Sequence, residues 1–412
     1  MTTRPSTFPA PAEIGERVRR IRRRRGMSLA VAAGLAGISK SYLSMLETGE
    51  RRFDRRGIVE NLAEALGCSV ADLTGGPYPA PDRDSAEALD ALPQISRSLH
   101  DARLNDVPDV PARPVADLVH WAAAANEHSA FCRYSLAGRD LGMLLTELHV
   151  HAVVGDGDMS RVALAALVEA CLVACGTARA LGNPELAVTA AQRGVDAARL
   201  LDAPALHAFA AMTLVGALSR LSARHRAASV AREALATVEG DATVDDATAE
   251  AYGLLHLSAA QMAAKDHRPD DAAAHLTEAA RIAARTGERN HLWFSFGPAN
   301  VLAWSMSVAV ELGRGAATAE QIEESPGHVE ALYAADRRAA MHFDLARGYA
   351  QAEGARDLNA IRHLDQTDRI APQRIRHDPI ARELLTHLDQ RTRLRTWELN
   401  SLKNRFGMVH TV

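Results

Sequence analysis

A chain of 412 residues can hold roughly two to four domains, or one small domain followed by an array of repeats. Aromatic residues are only 4% of the sequence and no stretch shows strand-like alternation, so we predict an all-α protein of closely packed helices. The cysteines show neither zinc-site spacing nor a disulfide framework. We expect a cytoplasmic protein, neither secreted nor membrane-spanning, because there is no signal sequence and no long uncharged apolar run.

The formal net charge of −4 conceals two regions of opposite sign. Residues 1–75 contain 13 Lys and Arg residues against 8 Asp and Glu residues, a net charge of +5, and the rest of the chain has a net charge of −9. A small basic region joined to a large acidic one is typical of a DNA-contacting module joined to one that does not bind DNA. The alternative is that the arginine run at 19–25 is only a solvated helix end.

Five short helices are predicted within residues 12–76. Apolar spacing predicts the first at about 13–24. Ser28 and Ser39 are typical N-caps for a second helix at 29–35 and a third at 40–48, which Gly49 ends. A fourth helix at about 58–66 and a short fifth at 70–73 place apolar residues beneath the first three.

This order of cap, turn, helix and exit resembles the Xre-type helix-turn-helix of the phage-repressor/Cro family. Many relatives place a proline after the exit arginines, whereas this chain has Phe53-Asp54, which leaves the path of the 51–57 loop open. The resemblance implies that the third helix enters the DNA major groove with its N-terminal residues at the base edges. The residues that carry it are Leu29-Ala30, Gly34, Ile38, Ser39-x-Ser41-Tyr42-Leu43-Ser44, Leu46-Glu47, Gly49 and Glu50-Arg51-Arg52.

The resemblance also implies individual contacts. Glu47 is expected to have a structural role, bound to the backbone or to an arginine of its own domain. The alternative to DNA binding is a helix-turn-helix used only for protein contacts. The base-facing positions are Lys40, Ser41, Ser44 and Met45. The expected phosphate contacts are Ser28, Ser39, Tyr42, Arg51, Arg52, Arg55 and Arg56.

The remainder of the chain reads as a linker and a helical array. Residues 77–114 are interrupted by prolines and are predicted to be a linker with one connecting helix. Within 115–405, Ala187, Ala227, Ala272 and Ala360 recur at separations of 40, 45 and 88 residues, the last being two strides. This resembles a tetratricopeptide-like α-solenoid, although the stride exceeds the usual one of about 34 residues. The resemblance implies a domain for dimerisation and effector sensing.

An aromatic segment at 291–304 stands out in this aromatic-poor chain. We predict a candidate effector site there, with an apolar wall and a polar amide, formed by His291, Trp293, Phe296, Asn300 and Trp304. The alternative is that these aromatic residues fill the core at a kink between repeats. A Phe-Gly-Pro-x-Asn segment of this type also resembles large actinobacterial regulators with an Xre-type N-terminal domain and a tetratricopeptide-like body.

No catalytic motif, metal-ligand set or cofactor motif occurs in the sequence, so we expect neither an enzyme nor a cofactor. We predict a transcriptional regulator that binds double-stranded DNA as a homodimer, with the third helix in the major groove. The array is expected to sense a peptide or small-molecule effector. The alternative is a DNA-tethered scaffold whose array recruits a protein partner without sensing a small ligand.

Overall fold

A computed structural model describes residues 14–76, 78, 82–243, 245–324, 327, 329–391 and 396–408. Within these ranges the chain forms 22 α-helices, two short 3-10 segments and no β-strand, which confirms the predicted all-α class. Part of the predicted linker, residues 77 and 79–81, lies outside the described residues.

The first five helices form a small domain, residues 14–76, here called the head. The Ser28 hydroxyl accepts the Val31 N–H at 3.2 Å, and the Ser39 hydroxyl accepts the Tyr42 N–H at 3.1 Å. Both predicted N-caps are therefore confirmed, and the predicted bounds of the helices are right to within two residues. The helices are α1 (Ile14–Arg24), α2 (Leu29–Leu35), α3 (Lys40–Thr48), α4 (Arg56–Leu66) and α5 (Val70–Thr74).

The next four helices join the head to the array. The predicted linker 77–114 needs a correction, because α6 runs without interruption through Pro93 and packs against α8 and α9. Ala88, Ile95 and Leu99 of α6 are buried in the apolar core that α6 shares with the helices that follow it. The four helices are α6 (Arg83–Asp101), α7 (Val115–Ala130), α8 (Tyr134–Gly138) and α9 (Leu141–Val154).

Five helix hairpins follow, here called the array, and the first helices of neighbouring hairpins pack side by side. Alanines with the 40- to 45-residue recurrence lie in the first turn of the second helices, and Ala187, Ala227, Ala272 and Ala360 are all fully buried. Small side chains at this position let each helix pack closely on its partner. The hairpins are α10 (Gly157–Ala180) with α11 (Pro184–Ala198), α12 (Pro204–Arg220) with α13 (Arg224–Val238), α14 (Asp246–Lys265) with α15 (Pro269–Thr286), α16 (Pro298–Glu311) with α17 (Gly315–Glu323), and α18 (Ala335–Ala350) with α19 (Asp357–Ile370).

Three helices close the chain: α20 (Pro372–Arg376), α21 (Pro379–Arg391) and α22 (Trp397–Arg405). Helix α22 packs against α19 and α21. Among the described helices, α10 is long and apolar enough to cross a membrane by composition, but 61% of its apolar window is buried inside the protein. Helix α10 packs against α7, α9, α11 and α12, so in this structure it is a core helix.

The head packs directly on the array. One continuous apolar cluster contains Phe53 and Ile58 of the head together with Met306, Val310 and Leu345 of the array. The N-terminus of α4 approaches α14 so closely that a Cβ on Gly57 would lie 3.1 Å from the Lys265 Cβ. Any larger residue at this crossing would require Lys265 to shift by a few tenths of an ångström. Head and array form a joint core instead of being connected only through the chain.

Candidate functional site

The N-terminal turn of α3 presents the predicted base-reading residues to solvent. Lys40 and Ser41 are exposed, and Ser44 and Met45, one turn later, are partly exposed. The apolar side of α3, with Leu43 and Leu46, is buried against the rest of the head. A helix held by one face with polar residues along its opposite N-terminal face has the form that enters a major groove.

The predicted phosphate contacts at the helix starts are also accessible. Ser28 and Ser39 are exposed at the first turns of α2 and α3, where free backbone N–H groups favour an anion. Tyr42 is partly exposed, and burial raises the pKa of its phenol, so it stays a neutral hydrogen-bonding group near pH 7.

The structural role predicted for Glu47 is confirmed. Its carboxylate accepts hydrogen bonds from Nε and Nη2 of Arg22 at 2.5 and 2.7 Å, and both side chains are buried. Arg22 also donates to the Met27 carbonyl at 2.8 Å, so one guanidinium joins α1, the following turn and α3. This bidentate pair fixes the angle at which α3 is presented.

The exit arginines need a correction. They were predicted to contact phosphates, yet all four face the array. Arg51 pairs with Glu353 on an array loop, and Arg56 pairs with Asp378. Arg52 is 8% exposed, and burial lowers the pKa of its guanidinium. Arg55 lies against Gly313, where an added Cβ would meet its Nη2. In this arrangement Arg52 and Arg56 cannot reach a phosphate, because array side chains surround them.

The Phe53-Asp54 departure from the family pattern explains this inward path. Phe53 is 1% exposed within the joint core of head and array. The Asp54 carboxylate accepts a hydrogen bond from Nε2 of Gln351 at 2.8 Å, and its carbonyl accepts one from Nε of Arg347 at 2.9 Å. The loop that contains Phe53 and Asp54 is therefore attached to α18.

Buried ion pairs add to the contact between head and array. Nζ of Lys265 lies 2.9 and 3.0 Å from the two carboxylate oxygens of Glu60, and Arg224 donates to the same carboxylate at 3.2 Å. Lys265 and Glu60 are 5% and 3% exposed. Burying two charges is costly unless they meet, so this pair favours one position of α4 on the array.

Glu311 forms a second buried connection. Its carboxylate accepts a hydrogen bond from Nη2 of Arg347 at 2.6 Å. It also accepts hydrogen bonds from the backbone N–H groups of Arg56 and Gly57 at 3.3 and 3.1 Å. Burial alone raises the pKa of Glu311, but Arg347 and then Lys265 outweigh burial and lower it to about 2. An ionised carboxylate of α16 thus accepts hydrogen bonds from the N-terminal N–H groups of α4 and complements the dipole of that helix.

A cavity of about 320 Å³ lies between head and array. Side chains from the first helices of all five hairpins line it, and Arg56, Val59, Glu60 and Thr74 close it from the head side. We call these five helices, α10, α12, α14, α16 and α18, the inner helices. The volume is at the lower end of the range of about 300–1,000 Å³ that is typical of small-molecule pockets.

The predicted effector residues divide between cavity and core. Trp293, Asn300 and Trp304 line the cavity. His291 does not: its backbone N–H donates to Glu250 and its ring lies against Phe209. Phe296 is fully buried against Gly253 of α14 and fills the core. Both interpretations of the aromatic segment therefore describe part of it.

The backbone beside the cavity is strained at this segment. Leu292, Trp293 and Ser295 have φ of +49°, +64° and +53°, a left-handed conformation that costs energy for residues with a side chain. The Asn290 side-chain carbonyl accepts the Ser295 N–H at 3.2 Å and its hydroxyl at 3.1 Å, which holds the turn. Trp293, within this strained turn, lies at the cavity wall.

The sequence reasoning missed the charged residues of the cavity. Arg179, Arg220, Lys265 and Glu311 each occupy the last turn of an inner helix. The available signal was their recurrence, since each stands four or five residues before the start of the second helix of its hairpin. Taken one at a time, a cation in the last turn of a helix ordinarily complements the helix dipole, so the recurrence of charged residues at this position was not recognised.

The comparisons with known proteins bear on the head alone. A family model described as a helix-turn-helix domain matches residues 13–74, the span of α1 to α5. The chain therefore carries an N-terminal helix-turn-helix domain, which supports DNA as a partner. Neither the curated proteins nor the solved structures include a match to this chain. Among the described residues, no group of three or more His, Cys, Asp or Glu side chains could hold a metal ion.

Proposed function

We propose that the protein is an Xre-type transcriptional regulator that reads a specific double-stranded DNA sequence with the N-terminal face of α3. The observation that carries this proposal is the exposed face of Lys40, Ser41, Ser44 and Met45 in a domain that matches the helix-turn-helix family. Lys40 donates to guanine O6 or N7 and Met45 packs on a thymine methyl. A homodimer places two heads on half-sites about one helical turn apart or a multiple of it.

In this proposal the tetratricopeptide-like array controls the head through a small effector. The cavity supports a small molecule over a peptide, because the head covers the inner helices and leaves a volume of only about 320 Å³. Its walls come from both α4 and the inner helices. A ligand in contact with both changes the free energy of one head position relative to others, and so changes DNA affinity.

The test is selection of bound sequences from a random DNA library by the full chain, followed by titration of the enriched site. Lys40→Ala and Ser41→Ala should weaken the enriched site by about tenfold and leave binding to unrelated DNA unchanged, since base contacts carry about 1–3 kcal/mol of discrimination. Arg281→Ala, an exposed arginine on α15, is the matched control and should change neither.

Failure of the library to enrich any sequence would remove the proposal of sequence-specific binding. Equal loss of affinity on specific and unrelated DNA in Lys40→Ala and Ser41→Ala would show that these residues contact phosphates and that α3 is placed differently. Sedimentation of the protein–DNA complex gives the number of chains per site, and one chain on an unrepeated site would contradict the homodimer.

A further inference from the structure

Three arginines of the cavity have no carboxylate partner among the described residues. Arg179 on α10, Arg220 on α12 and Arg337 on α18 line the cavity and form no ion pair within 4.0 Å in the described part of the chain. We call them the unpaired arginines. Nε of Arg337 donates to the Asn300 side-chain carbonyl at 3.1 Å, a neutral partner.

Arg179 repels both of the other unpaired arginines. Burial lowers the pKa of Arg337, Asp336 and Asp344 partly raise it again, and Arg374 and Arg179 lower it further. Burial likewise lowers the pKa of Arg220, as do Arg56 and Arg179, while Asp378 and Glu60 raise it. Arg179 therefore acts on both of the others, and all three side chains line the same cavity. Converging like charges are unfavourable unless an anion lies among them.

Other cavity cations show that the fold supplies carboxylates where it needs them. Lys265 has Glu60, Arg347 has Glu311, and Arg56 has Asp378. Asp378 also attracts Arg220, but its carboxylate is already bonded to Arg56 and to the Ile380 N–H at 2.9 Å. Carboxylates thus lie near the unpaired arginines, Asp336 near Arg337 and Asp378 near Arg220, but in the described part of the chain none forms an ion pair with them within 4.0 Å.

Buried polar atoms of the cavity wall also lack a hydrogen-bond partner among the described residues, one oxygen of the Asp336 carboxylate among them. The hydroxyl of Thr213 and Nε2 of His377 belong to residues that are 7% and 5% exposed. Nε1 of Trp304, which can only donate, is unpartnered as well. Because Nδ1 of His377 donates to the Gln373 carbonyl, its Nε2 is an acceptor. Unsatisfied buried groups that line one cavity mark a place for a polar ligand.

Part of the remaining wall is apolar and aromatic. Trp293, Phe294, Leu254 and Met262 line the cavity. The Arg337 guanidinium lies 5.2 Å from the centre of the Trp304 ring, so one face of the cationic cluster continues into an aromatic surface. A ligand that satisfies both parts has a charged group at one end and a planar apolar body.

We propose that this cavity binds a small organic anion, whose carboxylate, sulfonate or phosphate group lies among Arg179, Arg220 and Arg337 and whose planar body lies on the aromatic wall. The inference rests on the proposed effector control and names the chemical class of the effector. Arginine is suited to this role because its planar fork donates two parallel hydrogen bonds to such a group.

The experiment compares two fluorescent probes on the full chain without DNA. We expect 8-anilinonaphthalene-1-sulfonate to bind saturably and about tenfold or more tighter than uncharged N-phenyl-1-naphthylamine, because only the sulfonate meets the arginines. Arg220→Gln should lower affinity for the sulfonate by about tenfold and leave the naphthylamine within about twofold. Arg232→Gln, an exposed arginine on α13, is the matched control and should change neither probe.

Arg220→Gln should fold at least as stably as the wild type, since it removes a charge without a partner. Arg179→Gln is the second variant, at an exposed position, and should change the probes in the same direction. Displacement of the sulfonate by 2-naphthoate or by 2-naphthyl phosphate identifies the preferred anionic group, and displacement by neither contradicts the proposal.

Equal affinity for the charged and uncharged probes would overturn the inference, as would equal loss of both in Arg220→Gln and Arg179→Gln. These measurements need no DNA. Success of the DNA selection with failure of the probes therefore removes the organic anion alone, and the reverse removes only the DNA assignment.

Discussion

Two kinds of cationic side chain line the cavity, and they differ in whether a carboxylate pairs with them. Arg56, Lys265 and Arg347 meet carboxylates and hold the head to the array. The unpaired arginines line the same cavity but form no ion pair within 4.0 Å in the described part of the chain. A buried cation that is paired specifies one arrangement of two domains, whereas a cluster without an anion is a cost that a ligand can offset.

Position in the repeat does not decide which kind a cation becomes. Arg220 and Lys265 both occupy the last turn of an inner helix. Lys265 is covered by α4 and pairs with Glu60, while Arg220 is near Asp378 and Glu60 but pairs with neither within 4.0 Å. The inner helices thus end in similar charged residues. Some of these residues pair with carboxylates of the head, and others form no ion pair. Variants of the two kinds should therefore change stability in opposite directions.

The largest effect is expected for Arg347→Met. Arg347 is 1% exposed and binds Glu311, Asp344 and the Asp54 carbonyl. Its loss leaves Glu311 buried with less positive charge beside it, which should lower the free energy of unfolding by about 3–5 kcal/mol. Urea unfolding followed by circular dichroism measures this change.

Arg281→Met, on the exposed face of α15, controls for the loss of an arginine and should cost less than about 1 kcal/mol. A cost for Arg347→Met no larger than that of the control would mean that the paired cations do not hold the head. The comparison between the two kinds of cation would then have no energetic basis.

A smaller and more local effect is expected for Lys265→Met. Glu60 keeps Arg224 at 3.2 Å, so one cation remains and the cost should be about 1–3 kcal/mol. Amide hydrogen exchange should rise in α4 (Arg56–Leu66) and stay unchanged in α10 and α11. Lys403→Met, which removes the pair with Asp389 in the C-terminal helices, is the matched control and should leave α4 protected. Exchange that rises uniformly would contradict a local attachment.

The head shows what sequence can predict well. The caps at Ser28 and Ser39 act within three residues, so their hydrogen bonds follow from local sequence. The pairing of Glu47 required knowing only that α1 and α3 cross inside one small domain. The recurrence of buried alanines gave the stride of the array for a similar reason, because every hairpin repeats one local packing requirement.

The fate of the exit arginines could not be predicted in the same way. Asp54 and Arg347 are 293 positions apart, and Arg56 and Asp378 are 322 apart. An arginine after a recognition helix is equally suited to a phosphate and to a carboxylate, and only the docking of the head decides between them. The unpaired arginines were hidden for the same reason, since they converge from three separate hairpins.

Acid should weaken the paired cations selectively, and this is the smallest effect that we expect. Burial raises the pKa of Glu311, but Arg347 and Lys265 lower it from 4.5 to about 2. A carboxyl group whose pKa is depressed in the folded state contributes stability above its unfolded value. That contribution is lost as the pH falls from about 4.5 to about 2.

Wild type and Glu311→Gln should therefore differ by a constant free energy of unfolding between pH 7 and 5. Below about pH 4.5 the difference should shrink by on the order of 1 kcal/mol per pH unit. Glu320→Gln, at an exposed carboxylate of α17, should show a small difference throughout. A Glu311→Gln difference that stays constant down to pH 3 would show that the charge of Glu311 is not what holds α4. Since the unpaired arginines have no ion pair to lose, binding of the sulfonate probe should persist at a pH where the head has begun to loosen.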